Sequence, residues 1–394
     1  MAATNLPKSL WPLSFRKRNS CLIIVAFILI SFLPFALVSC SKEDSISAPD
    51  PVVPQQVPFK WTSAPPSEHG FDPVILDTLT ERISSRALGR ISSLLIVRNG
   101  HLVYEEYFRG NDRYDLVKVY SCTKSVASAL VGIAIGEGAV SGVDDRLFDY
   151  LDGYVLFPDN RHDSAYRENL TLEHLLTMTA GFSWDELEFP YGHPENSYTQ
   201  MVGSNDWIQF TLNQQITSEP GSSFAYNTGL SGIMAVIIEN STGQRVDTYA
   251  REKLFEHIGI DTCIWRMTPS DVPMTGSGLE LRPRDMAKFG WLYAQNGVWD
   301  GDTIVPSSWV QSCIQPFSTL PDGRGYGYQW WLLPITDDDN QPLTIPYALG
   351  YGDQHIFFVS SYDLVIVITA ENFQSQPYTY ILEILELIGD ALVS

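Results

Sequence analysis

Ser121 and Lys124 stand three residues apart at the start of an apolar segment that continues over residues 125–135. On a helix, this spacing places both side chains on one face. A serine hydroxyl is a weak nucleophile until a base removes its proton, and a lysine amine can be that base only where its pKa falls below about 10.4. The pair indicates attack on a carbonyl carbon, with backbone N–H groups at the helix start available to an oxyanion. A helix N-cap is the alternative role of Ser121.

Two further segments could contribute to the same chemistry. Tyr226 precedes an apolar helix, where its hydroxyl could enter a cleft, and a phenolate would require a neighbouring cation such as Lys124. Gly350 and Gly352 surround Tyr351 and allow close approach of the backbone, so the Tyr351 amide could pair with the Ser121 amide as an oxyanion hole. The alternative for Tyr226 is a buried structural tyrosine, and the alternative for the segment with Gly350 and Gly352 is a simple glycine-rich turn.

Strand patterns lie at both ends of the chain. Residues 91–97 and 101–108 flank Asn99-Gly100, a pair typical of a tight hairpin turn. Residues 355–359 and 364–369 are a second pair of β-rich runs, and an apolar stripe after residue 380 predicts a closing helix. If the strands of the two ends pair with each other, the chain forms one lobe of class α/β (α+β) from both ends.

Helices are predicted between these ends. Thr171 can cap the first of them and Gly181 can end it. The four predicted helices cover residues 171–181, 230–240, 247–257 and 284–296.

The first 58 residues have the pattern of an export segment and a tether. Three basic residues at 16–18 precede an apolar run over residues 21–38, as in a secretory signal. Residues 37–40 resemble the bacterial lipobox, which implies cleavage after residue 39, lipidation of Cys40 and an exported lipoprotein, with sorting to the outer membrane. An uncleaved membrane anchor is the alternative. The proline-containing residues 40–58 predict a flexible tether, and residues 59–394 the folded domain.

Charge and composition exclude several classes of function. The chain has 46 acidic and 25 basic residues and a formal net charge of −21, so binding to nucleic acid is not expected. Three cysteines lie outside the export segment, and their spacing does not suggest disulfide pairs. The histidines are not spaced like metal ligands. We therefore expect no disulfide framework, no metal and no cofactor. The acidic run at 337–340 is interpreted as a solvated turn, and no Gly-x-Ser-x-Gly elbow of an α/β-hydrolase occurs.

The three chemical segments, in this order, resemble the serine β-lactamase and penicillin-binding-protein superfamily. The likeness is to its class C-like branch, which includes family VIII-type carboxylesterases and 6-aminohexanoate-dimer hydrolases. Further segments resemble the family at residues 171–181, 254–260, 284–290 and 326–331. The resemblance implies a β-lactamase/transpeptidase-like fold: an antiparallel sheet from both chain ends, flanking helices, and a helical lobe inserted at about 145–290.

The resemblance also implies roles for individual residues. Ser121 would attack the carbonyl carbon, Lys124 and Tyr226 would transfer protons, and water would hydrolyse the acyl-enzyme. Thr228 stands where the family has asparagine, unless Asn227 takes that place, and residues 348–350 replace Lys-Thr-Gly, the source of a substrate-binding cation. The residues predicted to bind substrate are Asn227, Thr228, Trp330, Trp331, Gly350 and Gly352, with the hydrophobic core as the alternative place of the two tryptophans.

The predicted function is that of a lipid-anchored serine hydrolase. Without the family's cation, an ester or amide of a neutral or cationic acyl group is the expected small-molecule substrate. The alternatives are a β-lactamase or D-Ala-D-Ala carboxypeptidase, and a non-catalytic binding or sensor module that keeps the fold. The expected partners are this substrate and, through the lipid, a membrane; the sequence does not indicate an oligomeric state.

Overall fold

The computed structural model describes residues 59–156, 163–336, 341–373 and 379–393. The predicted signal segment, the tether with Cys40 and the acidic run at 337–340 lie outside these ranges. Within them, no helix combines the length and the apolar character needed to cross a membrane.

The described strands form sheets of eight, three and two strands with antiparallel pairing. In chain order they are β1 (Ile91–Arg98), β2 (His101–Tyr107), β3 (Val117–Lys118), β4 (Ile264–Trp265), β5 (Leu279–Leu281), β6 (Val298–Trp299), β7 (Asp302–Thr303), β8 (Ser318–Thr319), β9 (Gly325–Tyr326), β10 (Trp331–Thr336), β11 (Pro342–Gly350), β12 (Gln354–Val359) and β13 (Leu364–Ala370).

The eight-stranded sheet joins the two ends of the chain. Its order is β2-β1-β13-β12-β11-β10-β9-β8, and Leu95 of β1 lies opposite Val367 of β13. The turn between β1 and β2 places Asn99 at φ 50° and Gly100 at φ 76°, the two positive values that a tight hairpin of this type requires. The hairpin, the C-terminal strands and the pairing of the chain ends are confirmed.

Helices pack against this sheet, and most of them lie between β2 and β8 in chain order. They are α1 (Pro73–Ser84), α2 (Cys122–Gly136), α3 (Ser164–Glu168), α4 (Leu172–Leu176), α5 (Ser197–Val202), α6 (Trp207–Leu212), α7 (Thr228–Thr242), α8 (Val246–Ala250), α9 (Pro283–Ala294), α10 (Ser307–Cys313) and α11 (Thr379–Ala391). Helix α9 contacts β1, β12 and β13, and α1 contacts α11. Helix α2 contacts α7, β11 and β12, so the helix after Ser121 joins the helical region to the sheet.

Two predicted helices differ from the structure. The cap by Thr171 is confirmed, but α4 ends at Leu176, and Met178 has φ 59°. The chain leaves the helix here because the carbonyl groups of Met178 and Thr179 accept hydrogen bonds from Ala225 and Gly221 of the loop that carries Tyr226. The helix predicted at 247–257 consists of α8 followed by a π-helical turn, Arg251–Phe255.

Candidate active site

Ser121 occupies the N-cap position of α2 without using its side chain as a cap. Its backbone is helical, at φ −68° and ψ −7°, and its hydroxyl makes no capping hydrogen bond. Instead, Ser121 Oγ lies 2.9 Å from Lys124 Nζ and forms a hydrogen bond with the Tyr226 hydroxyl. The preceding residue, Tyr120, has a left-handed backbone at φ 47°, a strained conformation of the kind that clusters at functional sites. The Ser121 hydroxyl therefore faces two groups that can exchange protons with it.

Lys124 is buried, with 1% of its surface exposed. Besides Ser121 Oγ, its Nζ lies 2.9 Å from Thr228 Oγ1 and 2.7 Å from the Gly276 carbonyl oxygen. Burial lowers the pKa of Lys124 to about 8, against the opposing effect of Glu186 and Cys122. An amine with such a pKa is neutral in a useful fraction of molecules near pH 7, as a general base must be.

Tyr226 is also buried, and its ring lies 4.8 Å from Lys124 Nζ and 5.6 Å from the Trp331 ring. Burial, with smaller effects of neighbouring tyrosines and of Glu186, raises the pKa of Tyr226 well above its ordinary value, and the hydrogen bond to Ser121 opposes this only in part. The direction of this shift disfavours the phenolate that a neighbouring cation such as Lys124 would have to stabilise. Tyr226 is a neutral phenol here, suited to donating a proton and taking another in return.

The end of β11 approaches the segment that carries the nucleophile. A Cβ on Gly350 would lie 2.2 Å from the Val119 carbonyl oxygen, so only glycine permits this approach. The next residue, Tyr351, places its ring 5.7 Å from that of Tyr120. In the described part of the chain, the amides of Ser121 and Tyr351 have no hydrogen-bond acceptor. They are thus available as the two donors of the predicted oxyanion hole.

Gly352 serves the turn after Tyr351. It has φ 81°, and a Cβ there would lie 2.4 Å from the Phe373 ring. Its carbonyl oxygen accepts hydrogen bonds from the Asn372 amide and from Gln354 Nε2. The structure gives Gly352 a role in shaping the loop, and its contact with substrate stays a prediction.

Asn227 and Thr228, both predicted to bind substrate, lie on the buried side of Lys124. Asn227 caps α7, its Oδ1 accepting a hydrogen bond from the Leu230 amide at 3.0 Å. Thr228 Oγ1 accepts from Lys124 and donates to Glu186 Oε1 at 2.6 Å, so its single hydroxyl proton is already used. One side chain therefore caps the helix and the other holds the lysine, and their contact with substrate stays a prediction.

The two tryptophans have different surroundings. Trp330 is 0% exposed and packs against Phe289, Tyr293 and Phe358, so its predicted place in the acyl pocket is wrong and the core alternative holds. Trp331 packs against Tyr226, and the Arg324 guanidinium lies 4.8 Å from its ring centroid. Trp331 therefore supports the ring of Tyr226.

Glu186 belongs to the site and is absent from the sequence prediction. Its carboxylate is 3% exposed and accepts hydrogen bonds from Thr228, Tyr191 and Trp184. An acidic residue in a loop has no distinctive pattern, so the loop sequence alone could not reveal it. The available signal was Thr228: a hydroxyl in place of the family's amide needs a new acceptor for its proton.

An aromatic rim of five side chains lies beside the Ser121 and Tyr351 amides. The rings of Tyr191, from the helical region, and Tyr351, from the sheet, meet at 5.0 Å, and 41% of Tyr351 is exposed. The members of this aromatic rim are Tyr120, Tyr191, Tyr198, Tyr351 and Phe373. The hydroxyls of Tyr191 and Tyr351 already donate to Glu186 and to the Phe373 carbonyl oxygen, so the rim presents mainly ring surfaces.

Arginines near the site are already paired with acids. Arg324 lies close to Trp331 through the fold, although it is distant from residues 348–350 in sequence, and it forms an ion pair with Asp322 at 2.7 Å. Arg266, whose charge acts on Tyr120, forms an ion pair with Glu280 at 2.7 Å. Among the described residues, no group of three His, Cys, Asp or Glu side chains is arranged to hold a metal ion.

Comparisons with known proteins found a family model, sequence relatives and solved structures that are similar to this chain. The family model described as Beta-lactamase matches residues 90–387. An inferred D-alanyl-D-alanine carboxypeptidase of Escherichia coli strain K12 is 25% identical over 249 residues, which cover 58% of this chain and 53%, about half, of that relative. An inferred 6-aminohexanoate-dimer hydrolase from Bacillus anthracis has a TM-score of 0.66 at 21% identity, covering 83% of this chain and 85% of that one. A family VIII carboxylesterase has a TM-score of 0.62 at 14% identity, covering 84% of this chain and 99% of that one. The predicted fold class is confirmed.

Proposed function

Because the chain belongs to the Beta-lactamase family, whose relatives are serine hydrolases, we propose that it cleaves an ester or amide bond through an acyl-enzyme on Ser121. The observation that carries the proposal is the convergence of three side chains from distant parts of the sequence. Lys124 Nζ lies 2.9 Å from Ser121 Oγ, and the Tyr226 hydroxyl forms a hydrogen bond with the same oxygen. A nucleophile in contact with a base and a proton donor is the minimal arrangement for acyl transfer.

Acylation follows from this arrangement. Neutral Lys124 takes the hydroxyl proton of Ser121 while Oγ attacks the carbonyl carbon, and the amides of Ser121 and Tyr351 stabilise the oxyanion. When the tetrahedral intermediate collapses, the bond to the leaving oxygen or nitrogen breaks. Tyr226 donates its proton to that atom and regains one from the Lys124 ammonium, so the phenol and the amine end neutral.

Deacylation uses the same groups in the reverse direction. A water molecule gives its proton to the Lys124 and Tyr226 pair and attacks the ester carbonyl in the same oxyanion hole. Collapse of the second intermediate releases the carboxylic acid and returns the proton to Ser121 Oγ.

The substrate class follows from the charges near the site. Residues 348–350 supply no cation, and the nearby Arg266 and Arg324 are paired with acids. With a formal net charge of −21, the chain also repels anions over a longer range. We therefore propose an ester or amide of a neutral or cationic acyl group, with the aromatic rim in contact with it, rather than a β-lactam that carries a carboxylate.

A fluorescent fluorophosphonate probe tests the proposal on the purified chain. We expect labelling of the wild type and none of Ser121→Ala. Ser125→Ala is the matched control, since Ser125 lies on the same helix and its buried hydroxyl donates to the Gln329 carbonyl oxygen at 2.7 Å. Absence of labelling in the wild type, or labelling of Ser121→Ala, would show that Ser121 is not the nucleophile and would favour a binding or sensor module.

A substrate comparison separates the enzymatic alternatives. The same preparation is assayed with short-chain aryl esters, aminoacyl amides and nitrocefin. The proposal expects ester or amide turnover at least about 100-fold above nitrocefin turnover, a difference of about 2.7 kcal/mol in transition-state binding. Comparable turnover of nitrocefin would favour a β-lactamase or carboxypeptidase, the activity named for the Escherichia coli relative.

We also propose that the enzyme is an exported lipoprotein of the outer membrane. The support is the basic and apolar pattern of residues 16–38, followed by Cys40. Metabolic labelling with an alkyne fatty acid should modify the wild type and leave Cys40→Ala unmodified, and fractionation should place the labelled chain with the outer membrane. A wild type without lipid would contradict the anchor while leaving the hydrolase proposal intact.

A further inference from the structure

We infer that Glu186 is a positioning residue of the reaction: it fixes the Thr228 hydroxyl and thereby directs the base, Lys124, toward Ser121. The inference rests on the proposed function and adds a residue outside the nucleophile, base and proton donor. Its basis is a continuous series of hydrogen bonds through buried side chains.

The Glu186 carboxylate is fully used as an acceptor. Oε1 accepts from Thr228 Oγ1 at 2.6 Å and from the Tyr191 hydroxyl at 3.1 Å. Oε2 accepts from the Thr228 amide at 2.8 Å and from Trp184 Nε1 at 2.9 Å. Two acceptor sites per oxygen are the capacity of an ionised carboxylate. The four donors therefore occupy all of these acceptor sites.

This arrangement leaves Thr228 one role toward Lys124. A threonine hydroxyl has a single proton, and that proton is donated to Glu186. Thr228 Oγ1 can therefore only accept from Lys124 Nζ, which lies 2.9 Å away. The Gly276 carbonyl oxygen, 2.7 Å from the same nitrogen, is likewise an acceptor only.

Two obligatory acceptors orient the amine. Neutral Lys124 has two N–H bonds and one lone pair, and the hydrogens satisfy Thr228 and Gly276. The lone pair is then directed at the remaining neighbour, Ser121 Oγ, 2.9 Å away. A hydroxyl that could donate to Lys124 would compete for this lone pair, and Glu186 removes that competition. The negative charge of Glu186 also acts on Lys124, raising its pKa against the larger effect of burial.

Substitution of Glu186 by glutamine separates positioning from a purely structural role. In Glu186→Gln the negative charge is gone, so the acid limb of the acylation rate should move to lower pH by about one unit. The plateau rate should fall by roughly tenfold to 100-fold, because the amide NH₂ opposes two of the four donors and disturbs Thr228. Fluorophosphonate acylation of Ser121, followed by gel fluorescence from pH 5.5 to 10, measures both quantities.

Glu173→Gln is the matched control. Glu173 accepts a hydrogen bond from the Tyr328 hydroxyl at 2.6 Å and does not act on Lys124. In Glu173→Gln the acid limb should therefore stay at the wild-type pH, and the plateau rate should stay within twofold of the wild type. The variants Thr228→Val and Thr228→Ser test the route. Thr228→Val should lower the plateau rate as Glu186→Gln does, whereas Thr228→Ser, which keeps the hydroxyl, should have a plateau rate near that of the wild type. The double variant Glu186→Gln/Thr228→Val should lose little more rate than Thr228→Val alone.

Each outcome decides whether Glu186 positions the base or has a purely structural role. An unmoved acid limb in Glu186→Gln, or losses that multiply in the double variant, would overturn the inference. If Glu186→Gln does not fold, as circular dichroism would show, equal plateau rates for Thr228→Val and Thr228→Ser would overturn it instead. A wild type that does not react at Ser121 contradicts the proposed function itself, a result that cannot be confused with these.

Discussion

The pKa of Lys124 sets the pH range in which the enzyme can acylate. Burial lowers this pKa from 10.5 to about 8. At pH 7 the neutral fraction of the amine is then about 10%, whereas with an ordinary pKa it would be about 0.03%. Burial therefore increases the population of the reactive base roughly 300-fold. Because only the neutral amine accepts a proton, the acylation rate should rise about tenfold per pH unit below pH 7 and reach a plateau above about pH 8.5.

Stopped-flow acylation with an activated aryl ester measures this profile. Single-turnover conditions between pH 5.5 and 10 give the rate of leaving-group release apart from deacylation. Lys124→Arg is the control, since guanidinium does not lose its proton in proteins and the variant should stay at least about 1000-fold below the wild-type plateau at every pH.

Two results would refute the reasoning. A rate independent of pH between 6 and 9 would mean that no group with a pKa near 8 limits acylation. A wild-type limb retained in Lys124→Arg would assign the titration to another residue.

Three further predictions concern Tyr226, Gly350 and Trp330. Tyr226→Phe keeps the ring on Trp331 but removes the proton path, so kcat should fall at least about 100-fold at an unchanged Tm, and a kcat within threefold of wild type would exclude Tyr226 from proton transfer. Gly350→Ala places a Cβ 2.2 Å from the Val119 carbonyl oxygen, so the strand must retreat and single-turnover acylation should slow by about tenfold or more; an unchanged rate would contradict the close approach. Trp330→Ala should cost about 3–5 kcal/mol of unfolding free energy in urea with KM unchanged, while a raised KM at unchanged stability would return Trp330 to the acyl pocket.

Features with a short-range cause could be predicted from the sequence. The contact of Ser121 with Lys124 follows from helix periodicity, and the turn at Asn99-Gly100 follows from the preference of these residues for positive φ. The pairing of β1 with β13 was accessible because both chain ends carry strand patterns.

Features that depend on tertiary contacts could not be predicted in this way. The third neighbour of Lys124 is a backbone carbonyl of Gly276, which carries no side-chain signal at all. Adjacent residues at the start of a strand point to opposite faces, so at most one of Trp330 and Trp331 could lie near the reaction. The sequence does not say which of the two faces Tyr226, and the structure shows that it is Trp331. The buried acceptor at Glu186 becomes visible only when its loop is seen beside Thr228.

The place of β13 in the sheet constrains the order of events during synthesis. This strand lies between β1 and β12, yet it is the last of the described strands to leave the ribosome. Until then β1 has β2 as its only sheet neighbour, and an isolated two-stranded ribbon is at best marginally stable in water. The pairing of β1 with β13 must therefore wait until residue 370 has been synthesised, and a nascent chain that stops before β13 has an open edge where its central pairing should be.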